Sequence, residues 1–322
     1  MKAETKHRAI GVLYILGAAL AFACMNLFVR LAGDLPVMQK VFFRNGLTVV
    51  AVCVLLLFSK EKFKIHDKSC VPFLLLRSVV GFLGIVLNFY AIDRLNIADA
   101  SILNKLSPFF AILFSIFLLK EKPKAMEIGF VAVAFAGAML VVKPTFGVEV
   151  LPALSGFASG ACAGFAYACV RILGVKGERG IMTVFVFALF STVVSLPFLI
   201  AFFEPMTAMQ IVWLLLAGVS ATVGQFFITA AYRHAPAKEI AVFDYAQVLF
   251  AAVLGIAFLS QIPDGWSIGG YVIIIGAAVG KWLYALRSKK REAPLQQEPS
   301  PTEAPPEAIP DVPPNEAPPD NK

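Results

Sequence analysis

The chain has 322 residues, of which 59% are hydrophobic and only 15% are charged. Soluble domains are about 25% charged, so this composition indicates a membrane protein and excludes an ordinary soluble domain. The formal charge of +7 does not indicate a nucleic-acid partner, because the Lys and Arg residues lie in short loops between apolar runs, where they are topology signals.

Ten apolar runs approach the roughly 20 residues that a membrane-spanning helix needs. In chain order the runs are 9–29, 37–58, 72–92, 98–119, 125–142, 151–173, 181–203, 209–232, 238–259 and 266–286. The loops between the runs are short, which leaves no room for a soluble domain before the polar tail of the chain. The sequence therefore predicts an all-α membrane protein with ten transmembrane helices in a lipid bilayer.

The first run also fits an alternative interpretation. Lys2, Lys6 and Arg8 precede it, and it contains the small-residue pattern at 21–23, as in a secretory signal peptide. The run is long for the apolar core of a signal peptide, however, and the internal repeat described next requires it as a helix. We therefore interpret it as the first transmembrane helix.

The chain contains an internal repeat, which is a strong indicator of architecture. The stretch 98–124 recurs at 238–264, and the match continues on both sides of it. Matched pairs are Asn104 with Asp244, Lys105 with Tyr245, Leu119 with Leu259, Pro123 with Pro263, Gly129 with Gly269 and Gly84 with Gly224. The repeat predicts two similar five-helix units, at 9–142 and 151–286.

The distribution of Lys and Arg between alternate loops predicts the orientation of the chain. One set of loops holds most of them, whereas the opposite set holds only Arg30, Lys40, Arg94 and Lys143. The positive-inside rule then places both termini in the cytoplasm. Because each unit has an odd number of helices, the second unit is inverted relative to the first. Inverted repeats are typical of secondary transporters, whose substrate site lies near the bilayer midplane between the repeats.

The last segment, 292–322, differs from the rest of the chain. It is rich in Pro and acidic residues and has almost no large apolar side chains. Such a composition cannot bury a core, so we predict a disordered cytoplasmic tail. It is either a solvated tail or a docking element for a partner.

Ionisable side chains inside the apolar runs are costly in lipid, and each is therefore a hypothesis for a functional site. Counting about 1.5 Å per helical residue places Arg77 and Asp244 at similar depths from the cytoplasmic face, so we predict that they pair. By the same count Arg44 and Lys105 lie in the outer half of the bilayer. A direct pair of Lys105 with Asp244 is less favourable on this estimate, and Asp244 is taken as the one acid in the middle of a helix. Lys281 lies near a helix end and is expected to snorkel.

Because Arg44 and Lys105 are both positive, we expect a substrate carboxylate to bind between them. The alternative is that Arg44 snorkels to the outer interface and Lys105 binds helix-end carbonyls. Neutral polar candidates for the same cavity are Asn26, Asn88, Tyr90, Asn104, Tyr167, Gln225, Thr229, Tyr245 and Gln247, each of which could instead bond a neighbouring helix. The predicted substrate-binding set is Arg44, Arg77, Asn88, Tyr90, Asn104, Lys105, Gln225, Asp244 and Tyr245.

Small residues at helical spacing predict close helix packing. Gly156, Gly160 and Gly164 follow each other at intervals of four, and Gly276 and Gly280 repeat the spacing. Such ladders let helix backbones approach closely. They serve either packing within one subunit or a homodimer through the glycine-rich faces.

The sequence offers little for catalysis. The three His residues lie in or beside loops, no Cys, His and carboxylate cluster has the spacing of metal ligands, and no glycine-rich phosphate loop is present. The five Cys residues form no C-x-x-C pair and are interpreted as small packing residues. We therefore predict no enzyme activity, no cofactor and no metal site.

Several short motifs together resemble those of a known family. They are residues 118–121 before Pro123, 77–81, 89–91, 98–100, 107–109, 224–225, 231–233, 235–236, 243–245 and 263–264. Over nearly all of 9–286 the chain resembles the EamA family of the drug/metabolite transporter superfamily. The resemblance implies ten helices, cytoplasmic termini and alternating access. One departure is Gln261, which stands where the family commonly has Glu, so a coupling role of that Glu could not operate here.

The branch that the chain resembles includes carriers similar to S-adenosylmethionine transporters and exporters of amino-acid-like metabolites. We therefore predict a multi-pass transporter in the bacterial inner membrane that moves small polar or zwitterionic metabolites. The alternatives are a passive channel, a structural membrane protein, an exporter of cationic drugs, and a membrane-embedded enzyme. The direction of transport and the coupling ion stay open at this point.

Overall fold

The computed structural model describes residues 2–58, 63–118, 125–142, 150–234 and 241–292. Within these ranges every regular element is a helix. The helices are α1 (Lys2–Leu31), α2 (Val37–Leu57), α3 (Val71–Arg94), α4 (Ile97–Asn104), α5 (Ser107–Leu118), α6 (Ala125–Val142), α7 (Val150–Val175), α8 (Gly180–Ala201), α9 (Ala208–His234), α10 (Ala246–Leu259) and α11 (Gly265–Glu292). Short 3-10 turns, Lys68–Cys70 and Ala241–Tyr245, precede α3 and α10.

The described part of the chain contains nine helical segments that are long and apolar enough to cross a membrane. Helix α6 contributes a shorter apolar stretch, Ala125–Val141. The protein is therefore an all-helical, multi-pass membrane protein, as the composition predicted. The tenth transmembrane helix stays a prediction, because the residues on both sides of α6 lie outside the described ranges. The proposed tail, 292–322, also lies outside them except for its first residue.

Two of the predicted spans are not continuous α-helices over their described residues, and we call the part of each that is not α-helical an interruption. In the run predicted at 98–119, α4 ends at Asn104 and α5 begins at Ser107. Pro108 explains this break, because it has no N–H to donate to the Asn104 carbonyl. In the run predicted at 238–259, a 3-10 turn ends at Tyr245 before α10 begins. The prediction of continuous helices was wrong at both places, and the two interruptions fall at positions that the repeat matches.

The main helix contacts join the first part of the chain to the second. Helix α1 packs on α9, α2 on α8, α3 on α7, α4 on α10, and α6 on α11. Each of these pairs combines a helix that ends before residue 143 with one that begins after it. The core of the protein therefore lies between the two predicted units, and a site at its centre would be built from both.

Helix α7 lies directly against the break between α4 and α5. A Cβ atom on Gly160 would lie 2.5 Å from the Leu103 carbonyl oxygen, and one on Gly164 would lie 2.5 Å from the Phe110 Cβ. Side chains larger than hydrogen do not fit at these positions without a shift of the backbone. The glycine ladder of α7 therefore serves packing within the chain, which was one of its two predicted roles. A homodimer stays a prediction. Gly276 on α11 would be available for such a contact, because a Cβ atom there would meet nothing within 4 Å.

Candidate functional site

The two helix interruptions are joined by a buried ion pair. The Lys105 ammonium, in the turn between α4 and α5, contacts the Oδ2 oxygen of Asp244 in the 3-10 turn before α10. Lys105 is only 7% exposed. The predicted pairing of Arg77 with Asp244 was therefore wrong. The depth estimate treated the predicted runs as straight continuous helices, whereas both runs break at these residues, and the long lysine side chain crosses the remaining distance.

A hydrogen bond supports the ion pair from the backbone. The Tyr245 hydroxyl donates to the Lys105 carbonyl oxygen over 2.9 Å. This carbonyl lies just past the end of α4, where helix carbonyls lack intrahelical partners. The neighbouring Asn104 amide donates to the Ser159 hydroxyl of α7 over 3.1 Å. Four residues of the predicted site are thus brought together between the two units.

The Lys105–Asp244 pair leaves one acceptor open. The Asp244 Oδ1 oxygen is buried and has no hydrogen-bond partner among the residues that the structure describes. A buried acceptor without a partner is costly, since it loses its hydration without replacement. An ammonium group that entered the site would find a free carboxylate oxygen there.

Arg44 and Arg77 form a second charged group, around the ring of Phe187 on α8. The Arg77 guanidinium carbon lies 3.7 Å from the ring centroid, and that of Arg44 lies 5.9 Å from it. Arg44 is 5% exposed, and its Nη1 donates to the Asn45 side chain over 2.5 Å. Arg44 is therefore buried in the protein. It does not snorkel to the outer interface, as the alternative interpretation expected.

Several donors of these two arginines are unused. The Nε atom of Arg44 and the Nε and Nη1 atoms of Arg77 are buried and have no hydrogen-bond partner. Among the residues that the structure describes, no carboxylate forms an ion pair with either guanidinium. The second group therefore carries two positive charges that no carboxylate of the described residues neutralises.

Tyr167 on α7 lies near both charged groups. Its hydroxyl lies close enough to Arg77 and to Asp244 to experience both charges. About half of its side chain is exposed, although it belongs to a helix that packs in the centre of the molecule. Tyr167 is therefore in the neighbourhood of both Arg77 and Asp244.

The remaining predicted site residues lie elsewhere or stay open. The Asn88 Oδ1 atom on α3 is buried without a hydrogen-bond partner. The Arg94 guanidinium carbon lies over the Tyr90 ring, 3.9 Å from the ring centroid. Gln225 lines a largely apolar cavity of about 190 Å³ between α2, α8 and α9, together with Val52 and Phe226. The structure therefore does not support Tyr90 and Gln225 as neighbours of the ion pair.

Two acids in the described spans, Asp99 and Asp93, form polar contacts that the sequence did not predict. Asp99 on α4 is 8% exposed and accepts a hydrogen bond of 2.6 Å from the Tyr271 hydroxyl. Asp93 in the last turn of α3 pairs with Lys40 over 2.6 Å. Asp244 is therefore not the one acid within the spans, and Lys40 is a buried residue of α2 rather than a loop residue. Asp99 could have been recognised, because it lies inside the predicted run 98–119.

Gln261, the position that departs from the family pattern, caps a helix. Its Oε1 oxygen accepts the backbone N–H of Ile97, the first residue of α4, over 3.0 Å. The first N–H groups of a helix have no intrahelical partner, so a side-chain acceptor there stabilises the helix start. A neutral amide retains that acceptor without adding a charge. Elsewhere in the described ranges, no group of three or more His, Cys, Asp or Glu side chains could hold a metal ion.

Comparison with known proteins gives one matching family model. The model of the EamA-like transporter family matches residues 9–143 and 150–281. A solved protein structure superposes on this chain with a TM-score of 0.60 at 19% identity, covering 85% of this chain and 98% of that one. At this identity the superposition shows a shared fold alone.

Several similar sequences are named as transporters or solute carriers. The pseudopaline exporter CntI of Pseudomonas aeruginosa is 34% identical over 272 residues, which cover 84% of this chain and 94% of the exporter. Human solute carrier family 35 member G1 is 29% identical over 304 residues, covering 87% of this chain and 82% of the carrier. An uncharacterized transporter of Helicobacter pylori is 29% identical over 273 residues, covering 82% of this chain and 92% of the relative.

Proposed function

The chain belongs to the EamA-like transporter family, and on that premise we propose that it is a secondary transporter of small polar or zwitterionic metabolites. It carries them across the bacterial inner membrane by alternating access, with both termini in the cytoplasm. The observation that carries this proposal is the ion pair of Lys105 with Asp244 at two matched helix interruptions. Interrupted helices near the midplane are where secondary transporters bind their cargo.

The contacts at the two ends of the bundle support an inverted repeat of two five-helix units. At one end the Gln39 amide donates to the Glu204 carbonyl over 3.0 Å, and at the other Arg179 donates to the Lys64 carbonyl over 2.8 Å. Gln39 and Arg179 are matched by the repeat, as are Lys64 and Glu204, with the same 140-residue spacing that separates Lys105 from Tyr245. One contact thus becomes the other when the two units exchange places.

The packing of the helices supports the same symmetry. Exchange of the two units turns the α1–α9 pair into the α7–α3 pair, and both are among the main contacts. The pairs α2–α8 and α6–α11 each join a helix to its own repeat counterpart. A rocking motion of one unit against the other would therefore open either end of the bundle around a fixed centre.

The ion pair suits a zwitterionic cargo for a chemical reason. Lys105 and Asp244 neutralise each other in the absence of cargo. A cargo with an ammonium and a carboxylate can engage both partners at once, which replaces one internal ion pair by two pairs with the cargo. Breaking the internal pair without such replacement leaves buried charges uncompensated and costs several kcal/mol. On this proposal, Lys105 and Asp244 can separate without a large energetic cost only when cargo is bound.

A named exporter among the relatives leads us to propose export as the direction of transport. The P. aeruginosa relative is called a pseudopaline exporter. A passive channel, a structural membrane protein and an exporter of cationic drugs are the alternatives. A channel needs no exchange of internal for cargo ion pairs, and an exporter of cations has no use for Arg44 and Arg77.

Counterflow in proteoliposomes tests the proposal. Purified full-length protein is reconstituted, loaded with one unlabelled metabolite, and exposed to a trace of the same metabolite carrying a label, across a panel of amino-acid-like compounds. A secondary transporter gives transient, saturable accumulation of label, whereas a channel gives flux without saturation or counterflow. Protein-free liposomes control for passive leakage of the label. The Arg287→Gln variant, which replaces an exposed arginine, should behave as wild type. Flux without counterflow for every cargo would refute the proposal.

A further inference from the structure

Arg44 and Arg77 differ from the two buried lysines of the described spans, Lys40 and Lys105, in having no carboxylate partner there. Lys40 has Asp93 as its partner and Lys105 has Asp244. Within the described ranges, neither Arg44 nor Arg77 contacts a carboxylate. Uncompensated charges inside a membrane protein are costly, so such residues persist where something else supplies the opposite charge.

The arginines are held so that their donors stay available. Arg77 lies over the face of the Phe187 ring, and this stacking attracts the cation without using its N–H groups. Gly81 leaves the room that this arrangement needs, because a Cβ atom there would lie 3.0 Å from Phe187 and 3.3 Å from the Arg77 Nη1 atom. The unused Nε and Nη1 atoms of Arg77 are buried. A planar guanidinium with free N–H donors matches the two oxygens of a carboxylate.

Arg44 approaches the same ring from α2, and it is close enough to Arg77 for the two charges to repel. Ser191 lies four residues after Phe187, on the same side of α8, and its hydroxyl is buried without a partner. The surroundings of Phe187 thus combine two cations with a neutral donor. Buried donors without a partner among the described residues thus lie on three helices around Phe187, α2, α3 and α8.

We propose that Arg44 and Arg77 form an oxyanion site that binds an additional carboxylate of the cargo, so that the cargo is an acidic, amino-acid-like compound with net negative charge. This inference rests on the proposed transport function and specifies its cargo. The zwitterionic end of the cargo lies at Lys105 and Asp244. Tyr167 is near both Asp244 and Arg77.

The site predicts a preference between pairs of compounds that have the same shape. Glutamate and glutamine, and likewise aspartate and asparagine, differ by one carboxylate in place of an amide. We expect the wild-type protein in detergent to bind the acid of each pair about tenfold more tightly than the amide, because hydrogen bonds to a charged group are worth about 1.5–3 kcal/mol. Binding is measured from the ligand-dependent shift of the thermal unfolding midpoint.

Two variants assign the preference to the arginines. Arg44→Gln and Arg77→Gln should each lower affinity for the acids by about tenfold and leave affinity for the amides near that of wild type. Arg77→Lys should restore part of the preference, because it keeps the charge and loses the planar fork. The Arg287→Gln variant is the matched control, since it removes an exposed guanidinium by the same substitution.

Each outcome decides the proposal. Equal binding of acid and amide by the wild type, no binding of any acid in the panel, or parallel loss of both in the arginine variants would overturn it. Counterflow of neutral zwitterions without any preference for acids would refute the oxyanion site and leave the transport function standing. Acid binding that depends on the arginines, without counterflow of any compound, would refute the transport function and leave the site standing.

Discussion

Two charged groups lie at the centre of the bundle, and they differ in how the protein balances them. Lys105 and Asp244 neutralise each other across the two interrupted spans, whereas Arg44 and Arg77 share the ring of Phe187 and have no carboxylate partner in the described part of the chain. We propose that the first group joins the two predicted units in the absence of cargo and that the second binds an anionic group of the cargo. On this proposal one group holds the resting state and the other selects the cargo.

The largest expected effect comes from removing one member of the ion pair. Asp244→Asn should lower the free energy of unfolding by about 3–5 kcal/mol, because Lys105 is then a buried charge without a partner. Lys105→Gln should have an effect of similar size, and the double variant should be milder than the sum of the two. Chemical denaturation of the purified protein measures all three. Strict additivity would show that the two side chains do not interact.

The packing of α7 against the break gives the next effect. Gly164→Ala should destabilise the protein by about 1–3 kcal/mol, because the new methyl group would overlap Phe110 and the Ser107 carbonyl. Gly174→Ala on the same helix is the matched control, since a Cβ atom there meets nothing within 4 Å. The control should be neutral or slightly stabilising, because alanine favours helices. Equal stability of the two variants would mean that α7 does not approach the break so closely.

An effect of similar size is expected at Tyr245. Tyr245→Phe removes the hydroxyl that donates to the Lys105 carbonyl and leaves the ring in place. The loss should be about 1–3 kcal/mol, since the buried carbonyl is left without its donor. Thermal unfolding measures the change. If the effects of Tyr245→Phe and Asp244→Asn on stability were strictly additive, the hydroxyl would not be coupled energetically to the ion pair.

The smallest effect is expected at Gly81, beside the arginines. Gly81→Ala forces Phe187 or Arg77 to shift by a few tenths of an ångström, so stability should change by less than about 1.5 kcal/mol while the preference for acids over amides falls. Gly46→Ala on α2 is the control, because its Cβ would meet no atom within 4 Å. An unchanged preference would place the Arg77 guanidinium outside the binding site.

Much of the fold could be predicted from the sequence, because apolar runs of membrane length have few alternatives. The repeat also matched the polar pair Asn104 and Lys105 with Asp244 and Tyr245, but it did not predict that the α-helices break there. The choice of partners could not be predicted in the same way. Depth counted along straight helices is wrong where the helices break, and it favoured Arg77 over Lys105 as the partner of Asp244.

The role of Phe187 had no sequence signal. The chain contains 29 Phe residues, and nothing in the pattern distinguishes the one that lies between two arginines. The Lys40–Asp93 pair was missed because Lys40 stands close to a helix start, where a basic residue resembles a loop residue. Both features depend on how helices distant in sequence face each other, which composition and spacing do not record.

One proteoliposome experiment tests the division of roles between the two groups most directly. Counterflow of labelled glutamate and glutamine is compared for wild type, the Arg44→Gln, Arg77→Gln double variant, and the Lys105→Gln, Asp244→Asn double variant. We predict that the arginine variant retains glutamine counterflow and loses its preference for glutamate, whereas the ion-pair variant loses counterflow of both. Counterflow that survives in the ion-pair variant, or is lost alike for both compounds in the arginine variant, would contradict this account.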